Sequence, residues 1–288
     1  MTRNVTDAAD GAEAAAGTGA ATAGAGGTDA GAAQAAQQPL VHRTRERGIT
    51  TLTLDSPRNR NALSSRLVAQ LSEGLEAAAA DEETRAVVLT HTGSTFCAGA
   101  DLSEARSGVA GTAAPLGLAR LMRTIVELPK PVVARLTGHA MAGGIGLMGS
   151  CDITVAESGA RFAFTEARLG LAPAVISLPL LPRLDARAVG RYYLTGERFD
   201  AAEAARIGLL TLAADDVDAA LEPILDGLRK GSPQGLAESK RLATAGVLRA
   251  FDRDTEGLAA TSARLFTSDE AREGMTAFLE RRSPEWAR

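Results

Sequence analysis

Two stretches of this chain have the residue types that can hold a negatively charged oxygen. Phe96-Cys97-Ala98-Gly99-Ala100-Asp101 and the segment GHAMAGG at 138–144 share one order: an apolar run, then small residues, then a helix start. A helix start leaves backbone N–H groups without intrahelical acceptors, and its dipole favours negative charge there. Small residues let a ligand come close to the backbone. Two such N–H groups aimed at one point form an oxyanion hole. Each half alone also fits an ordinary strand-to-helix loop, where glycine is common.

The remaining reactive side chains are plainer. Cys97 sits between Phe96 and Ala98, with no histidine placed to activate it, so it is expected to pack rather than react. Cys151 and Met148 are expected in the core. His42, His91 and His139 do not have metal-ligand spacing, so no metal site is expected. No Walker motif occurs; the glycines at 24–27 belong to a low-complexity stretch. Taken alone, Glu166 is an ordinary solvated carboxylate at a helix start.

Elements that would position these residues follow from periodicity. Residues 49–54 (ITTLTL) alternate and are β-branched, which predicts a strand. A polar loop covers 55–61, and a helix begins near Ser64 or Ser65, with Leu67, Val68, Leu71 and Leu75 at helical spacing. Buried strands are predicted at 85–90 and 131–136, an amphipathic helix at 116–128, and short strands at 152–156 and 161–164. From Asp185 onward the pattern is helical nearly to the end. Asp200 and Ser232 precede helix starts as caps, with Pro233 at a first helical position. A last helix from Ser268 to about 281 carries acids first and arginines last, as the helix dipole prefers.

Composition bounds the rest. Residues 1–38 are nearly all small or polar, and cannot bury enough apolar area to offset the entropy of ordering them. A disordered tail is expected there, and neither a secretory signal nor a transit peptide. The sequence splits into that tail, a core over 39–198 and a helical region over 199–288. No apolar run reaches the ~20 residues that span a bilayer. A net charge of −4 argues against a dedicated nucleic-acid binder. Two cysteines make no disulfide framework, so a reducing cytoplasmic location is expected.

Taken together, FCAGADL at 96–102 and GHAMAGGIGLMGSCDI at 138–153 resemble the two signature segments of the crotonase superfamily of enoyl-CoA hydratases and isomerases. NALS at 61–64, LTGE at 194–197, AAEA at 201–204, IGL at 207–209 and REGMTAFLERR at 272–282 match further family segments, in family order. The resemblance implies an α/β fold, a crotonase-like spiral of ββα units with a C-terminal helical trimerisation region. It implies a homotrimer or a dimer of trimers, an acyl-CoA substrate, and no cofactor beyond the coenzyme A of the substrate.

Residue by residue, the resemblance makes the amides of Ala100 and Gly143 the oxyanion donors and Glu166 the catalytic acid/base. A carboxylate in a partly apolar pocket has its pKa raised toward neutrality, as a proton shuttle needs. Arg58, Arg60, Ala62, Ala98, Asp101 and Leu102 fall at substrate- and CoA-binding positions, as do Phe278 and Arg281 near the C-terminus. One departure stands out: Gly146 occupies the position of a second glutamate. The segment 169–177, LGLAPAVIS, also lacks the glycine-rich run of many hydratases. It resembles a branch that includes methylglutaconyl-CoA-type hydratases. The reading is therefore an enoyl-CoA hydratase. The alternatives are an isomerase using the single glutamate and, outside catalysis, an acyl-CoA-binding protein without turnover.

Overall fold

The computed structural model describes residues 38–106 and 113–287. The tail expected over 1–38 lies, but for Gln38, outside the described residues. Pro39–Arg288 forms one compact unit.

The strands come in consecutive pairs that feed two sheets. A six-stranded sheet has the order β1 (Val41–Glu46), β2 (Ile49–Leu54), β3 (Ala86–His91), β5 (Val132–Leu136), β7 (Ile153–Glu157) and β10 (Leu212–Ala214). A four-stranded sheet has β4 (Thr95–Cys97), β6 (His139–Met141), β8 (Arg161–Ala163) and β9 (Phe199–Asp200). Each of the pairs β3–β4, β5–β6 and β7–β8 therefore gives one strand to each sheet. A helix follows β2 (α1, Ser65–Ala80). After β4 come α2 (Leu102–Arg106) and α3 (Ala113–Glu127), and after β6 comes α4 (Gly143–Gly149). This is the ββα spiral that the sequence implied.

Burial follows the apolar pattern. Leu52, Leu54, Val87, Leu89, Val132 and Ala134 face the main core, together with Leu67, Leu71 and Leu75 of α1. Ile49, Ala86, Val88, Val133 and Val155 face the other way, against Val217, Leu221 and Leu225 of α8 (Val217–Lys230). A strand covered on both faces needs a continuous apolar run, which is why β3 reads AVVLTH. After β8 follow α5 (Ser177–Leu180), α6 (Ala186–Thr195) and α7 (Ala201–Arg206), and after α8 come α9 (Pro233–Phe266) and α10 (Asp269–Leu279). Asp200 and Ser232 cap their helices, accepting from Glu203 N and Gly235 N. Buried Lys240 ties α9 to the core through Asp152 at 2.8 Å and the Ile125 carbonyl at 2.7 Å.

Five strands lie outside the expected pattern: β4 and β6, three residues each in the small-residue stretches, and β1, β9 and β10. β1 is a charged, exposed edge strand paired antiparallel to β2, and its polarity hides it from a periodicity search. β9 and β10 interrupt the region expected to be helical. β10 has only three residues and is defined by its parallel ladder with β7, not by β-branched composition. Among the described residues no helix is long and apolar enough to cross a membrane.

Candidate active site

Strands β4, β6 and β8 are parallel neighbours, so their C-terminal ends lie along one edge of the four-stranded sheet. The segments leaving those ends are 98–101, 142–143 and 164–166. All three stretches that the sequence marked for chemistry thus leave the same edge, where ligands of parallel sheets characteristically bind.

The first two stretches meet backbone to backbone. Leu63 bridges Ala100: Leu63 N donates to Gly99 O at 2.8 Å, and Asp101 N donates to Leu63 O at 3.4 Å. In a parallel bridge the residue between those two bonds turns its own N–H to the opposite side. Ala100 N therefore points away from Leu63. Gly143 opens α4, so its N–H is one of the groups a helix start leaves without an intrahelical acceptor. Neither amide has an acceptor among the described residues. They are close: a Cβ placed on Gly143 would sit 3.6 Å from Ala100 N.

Glycine makes this approach possible. Gly99 has φ +97°, and a Cβ there would lie 3.0 Å from the Ala142 Cβ and 3.3 Å from Gly143 N. A Cβ on Gly144 would lie 2.4 Å from Cys97 O. Between them, Ala142 adopts φ 47°, ψ −122°, a conformation that L residues rarely take and that costs on the order of 1–3 kcal/mol. Its N–H is held by Ala163 O at 3.0 Å. That strained residue turns the chain from β6 into α4 and aims Gly143 N.

Glu166 begins a 3-10 turn, Glu166–Leu169, directly after β8. The residue is buried, and Oε2 has no hydrogen-bond partner among the described residues. Desolvation pushes its carboxyl up to about 7; the bond from its own backbone N–H acts the other way. Gly170 ends the turn in the left-handed region, φ 69°. α10 lies on this turn at backbone contact: a Cβ on Gly274 would lie 2.5 Å from the Leu169 carbonyl carbon, and one on Gly170 2.6 Å from that of Glu270.

The chain matches known proteins over most of its length. A family model described as enoyl-CoA hydratase/isomerase matches residues 44–288. The chain belongs to the enoyl-CoA hydratase/isomerase family. A crystal structure of an enoyl-CoA hydratase from Mycobacterium avium is 56% identical, with a TM-score of 0.81, covering 87% of this chain and 100% of that one. The 1,2-epoxyphenylacetyl-CoA isomerase of Escherichia coli K12 is 33% identical over 84% of this chain and 95% of its own. Mouse mitochondrial methylglutaconyl-CoA hydratase is 30% identical over 83% of this chain and 80% of its own. As a member of this family, the protein is an enzyme.

Gly146 gains meaning within that family. A Cβ there would lie 2.4 Å from Ile176 Cγ2, 2.7 Å from Ile176 Cβ and 3.1 Å from Met122 Sδ. The space beside Gly146 is filled by the Ile176 and Met122 side chains. The segment 169–177 supplies the isoleucine that packs onto Gly146.

The other expected residues lie on several elements. Arg58 and Arg60 are exposed on and just after a 3-10 turn, Pro57–Asn59. Arg60 O accepts from Ala98 N at 3.0 Å, which ties that loop to the oxyanion stretch. Ala62 is buried, and Ala98 and Leu102 are half-buried. Asp101 is taken up in the turn: its carboxylate accepts from Ser103 N at 2.9 Å and from Asn59 Nδ2 at 3.3 Å. Phe278 and Arg281 are exposed at the end of α10.

Cys97 and Cys151 are buried thiols, both pushed up to about 12 by desolvation, which makes them poor nucleophiles. His91 Nε2 accepts from Thr137 N at 3.1 Å and His139 Nδ1 from Arg161 N at 3.1 Å, so both serve the framework. Among the described residues no cluster of three His, Cys, Asp or Glu could hold a metal.

One positioning residue escaped the sequence reading. Asn61 is fully buried with φ 53°; its Nδ2 donates to Thr92 O at 3.0 Å and Thr95 O at 2.8 Å, and its Oδ1 accepts from Ser56 N at 2.7 Å. It fixes the 56–61 loop against β4. Its sign in the sequence is the Asn-Ala-Leu-Ser stretch at 61–64.

Proposed function

We propose that this enzyme hydrates a 2-enoyl-CoA thioester, with Glu166 as its single proton carrier. The observation that supports this most strongly is a buried carboxyl near neutrality, with a free oxygen, on the segment leaving the same sheet edge as the neighbouring Ala100 and Gly143 amides. The thioester oxygen accepts from those two amides. Glu166 takes a proton from water as the oxygen adds to Cβ, negative charge grows on the thioester oxygen, and Glu166 returns the proton to Cα. An oxyanion donor of this kind contributes about 2.7–4 kcal/mol to lowering the barrier.

Arg58, Arg60, Phe278 and Arg281 bind the coenzyme A moiety in this reading, and Ala62, Ala98 and Leu102 border the thioester. Asp101 acts through the turn it caps. The chain works as a trimer or dimer of trimers in the cytoplasm and needs no cofactor. A branched, carboxylated enoyl-CoA of the methylglutaconyl type is the narrower substrate reading.

Isomerisation is the second reading, and one observation favours it. Ile176 and Met122 occupy the space for a second carboxylate, so water is not clamped from two sides by acids. One carboxylate suffices to move a proton between Cα and Cγ of an enoyl thioester. Absorbance of the conjugated thioester separates the readings. Loss of absorbance from 2-enoyl substrates means hydration; its appearance from 3-enoyl substrates means isomerisation. Full turnover in Glu166→Gln would overturn both.

A further inference from the structure

The turn that carries Glu166 meets two helices at backbone distance. α10 is the closer. A Cβ on Gly274 would lie 2.5 Å from the Leu169 carbonyl carbon and 2.7 Å from Leu169 Cα, and one on Gly170 would lie 2.6 Å from the Glu270 carbonyl carbon and 2.8 Å from Ala271 N. The C-terminal end of α6 holds the turn as well: Arg168 Nε donates to Thr195 O at 3.0 Å, and a Cβ on Gly196 would lie 3.1 Å from Phe164 O. Within the turn, Glu166 O accepts from Gly170 N and from Leu171 N, so a shift of Gly170 carries Glu166 with it. Gly170 has a local reason to be glycine, its φ of 69°. Gly274 has none. It lies inside α10, where glycine costs about 1 kcal/mol against alanine, and the approach to Leu169 is what its missing side chain permits.

Resting on the reading of Glu166 as the proton carrier, we propose that α10 seats the Glu166 carboxyl in the site, with Gly170 and Gly274 as positioning residues. With no side chain between them, helix and turn have one packing distance, and that distance fixes where the carboxyl stands. Ser268 supports the seat from below: it caps α10 by accepting from Ala271 N at 3.2 Å, in the helical turn that Gly170 touches. Burial is what raises the Glu166 carboxyl, and no charged neighbour adds to it. The charged side chains of the two helices are engaged elsewhere or exposed: Arg191 pairs with Glu197, Arg272 with Asp269 and Glu273 with Arg282, while Arg187 and Glu270 are exposed. Tyr192 and Tyr193 on α6 keep their protons above the usual phenol range. A turn that backs away from α10 therefore admits water to the carboxyl and lets its pKa fall from about 7 toward 4.5.

Gly274→Ala puts a methyl group where the Leu169 backbone stands. Ser268→Ala removes the cap and loosens the same helix more gently. Exchange of the Cα protons of butanoyl-CoA with deuterated water is followed from pH 5 to 9 at saturating substrate, on protein shown to be folded by circular dichroism. For Gly274→Ala the plateau rate is expected to fall by about tenfold to a hundredfold, as a misplaced catalytic group does. The ratio of the rate at pH 6 to that at pH 8 is expected to rise by about fivefold, as an apparent pKa moving from about 7 to about 6 gives. Ser268→Ala moves that ratio in the same direction by less. A helix that served folding alone would change the amount of active protein and leave the ratio where it was. An unchanged ratio in Gly274→Ala, or in Ser268→Ala where Gly274→Ala does not fold, overturns the proposal. A wild-type rate indifferent to Glu166→Gln overturns the underlying reading instead.

Discussion

The two halves of the candidate site are made of different material. The oxyanion half is backbone: Ala100 N and Gly143 N, brought together because Gly99 and Gly144 carry no side chain at the point of contact. The proposed acid–base half is a side chain: Glu166, buried with Oε2 unpartnered among the described residues. Backbone donors are fixed by the strand-to-helix connections themselves, so no side-chain rotamer is needed to aim them. The side-chain half depends instead on packing: Ile176 and Met122 lie against Gly146, where a larger side chain would meet them.

A large loss of activity is expected from disturbing the backbone half. Gly144→Ala places a Cβ 2.4 Å from Cys97 O, which backbone on both sides cannot relieve. α4 must back away and take Gly143 N with it. We expect kcat to fall by about 10²–10³, the loss of one oxyanion donor, with folding largely retained. Steady-state kinetics beside circular dichroism would check this, and activity near wild type would break the claim that the two loops must touch.

Next comes the stability held back by Glu166. Its carboxyl is raised from 4.5 to about 7, so the folded state prefers the protonated form. The folded protein therefore enjoys full stability below about 4.5 and loses it as pH rises through about 7, by about 3 kcal/mol in all. Glu166→Gln removes this cost. It should unfold at higher denaturant than wild type at pH 8 and at the same denaturant near pH 4, while losing activity. Equal stability at both pH values would mean that the carboxylate is solvated.

A smaller effect tests the packing that separates this site from a two-carboxylate one. Gly146→Glu alone drives its side chain into Ile176 and should destabilise by about 1–3 kcal/mol. With Ile176→Gly added, much of that clash should disappear, a coupling visible in a double-mutant cycle of denaturant unfolding. Strict additivity would show that the two positions do not share one volume.

The sequence showed the backbone half well and the side-chain half poorly, for a physical reason. Glycines at 99, 143 and 144 and cap residues such as Ser64, Asp200 and Ser232 act locally, so their spacing carries their meaning. The strain at Ala142 was invisible, because alanine gives no sign that φ must be positive. Ile176 against Gly146 and Tyr193 beside Ser177 are tertiary contacts, about 16 to 30 residues apart, with no periodic signature. Strands β1, β9 and β10 escaped for a related reason: their partners define them, not their composition.

The central claim is that one carboxyl near neutrality moves protons beside an enolate-stabilising pair of amides. Exchange of the Cα protons of butanoyl-CoA with deuterated water, followed by NMR from pH 5 to 9, tests it most directly. The rate should rise with pH to a plateau with an apparent pKa close to 7, and Glu166→Gln should lower the plateau by about 10²–10⁴. A rate that ignores both pH and the substitution would contradict the account.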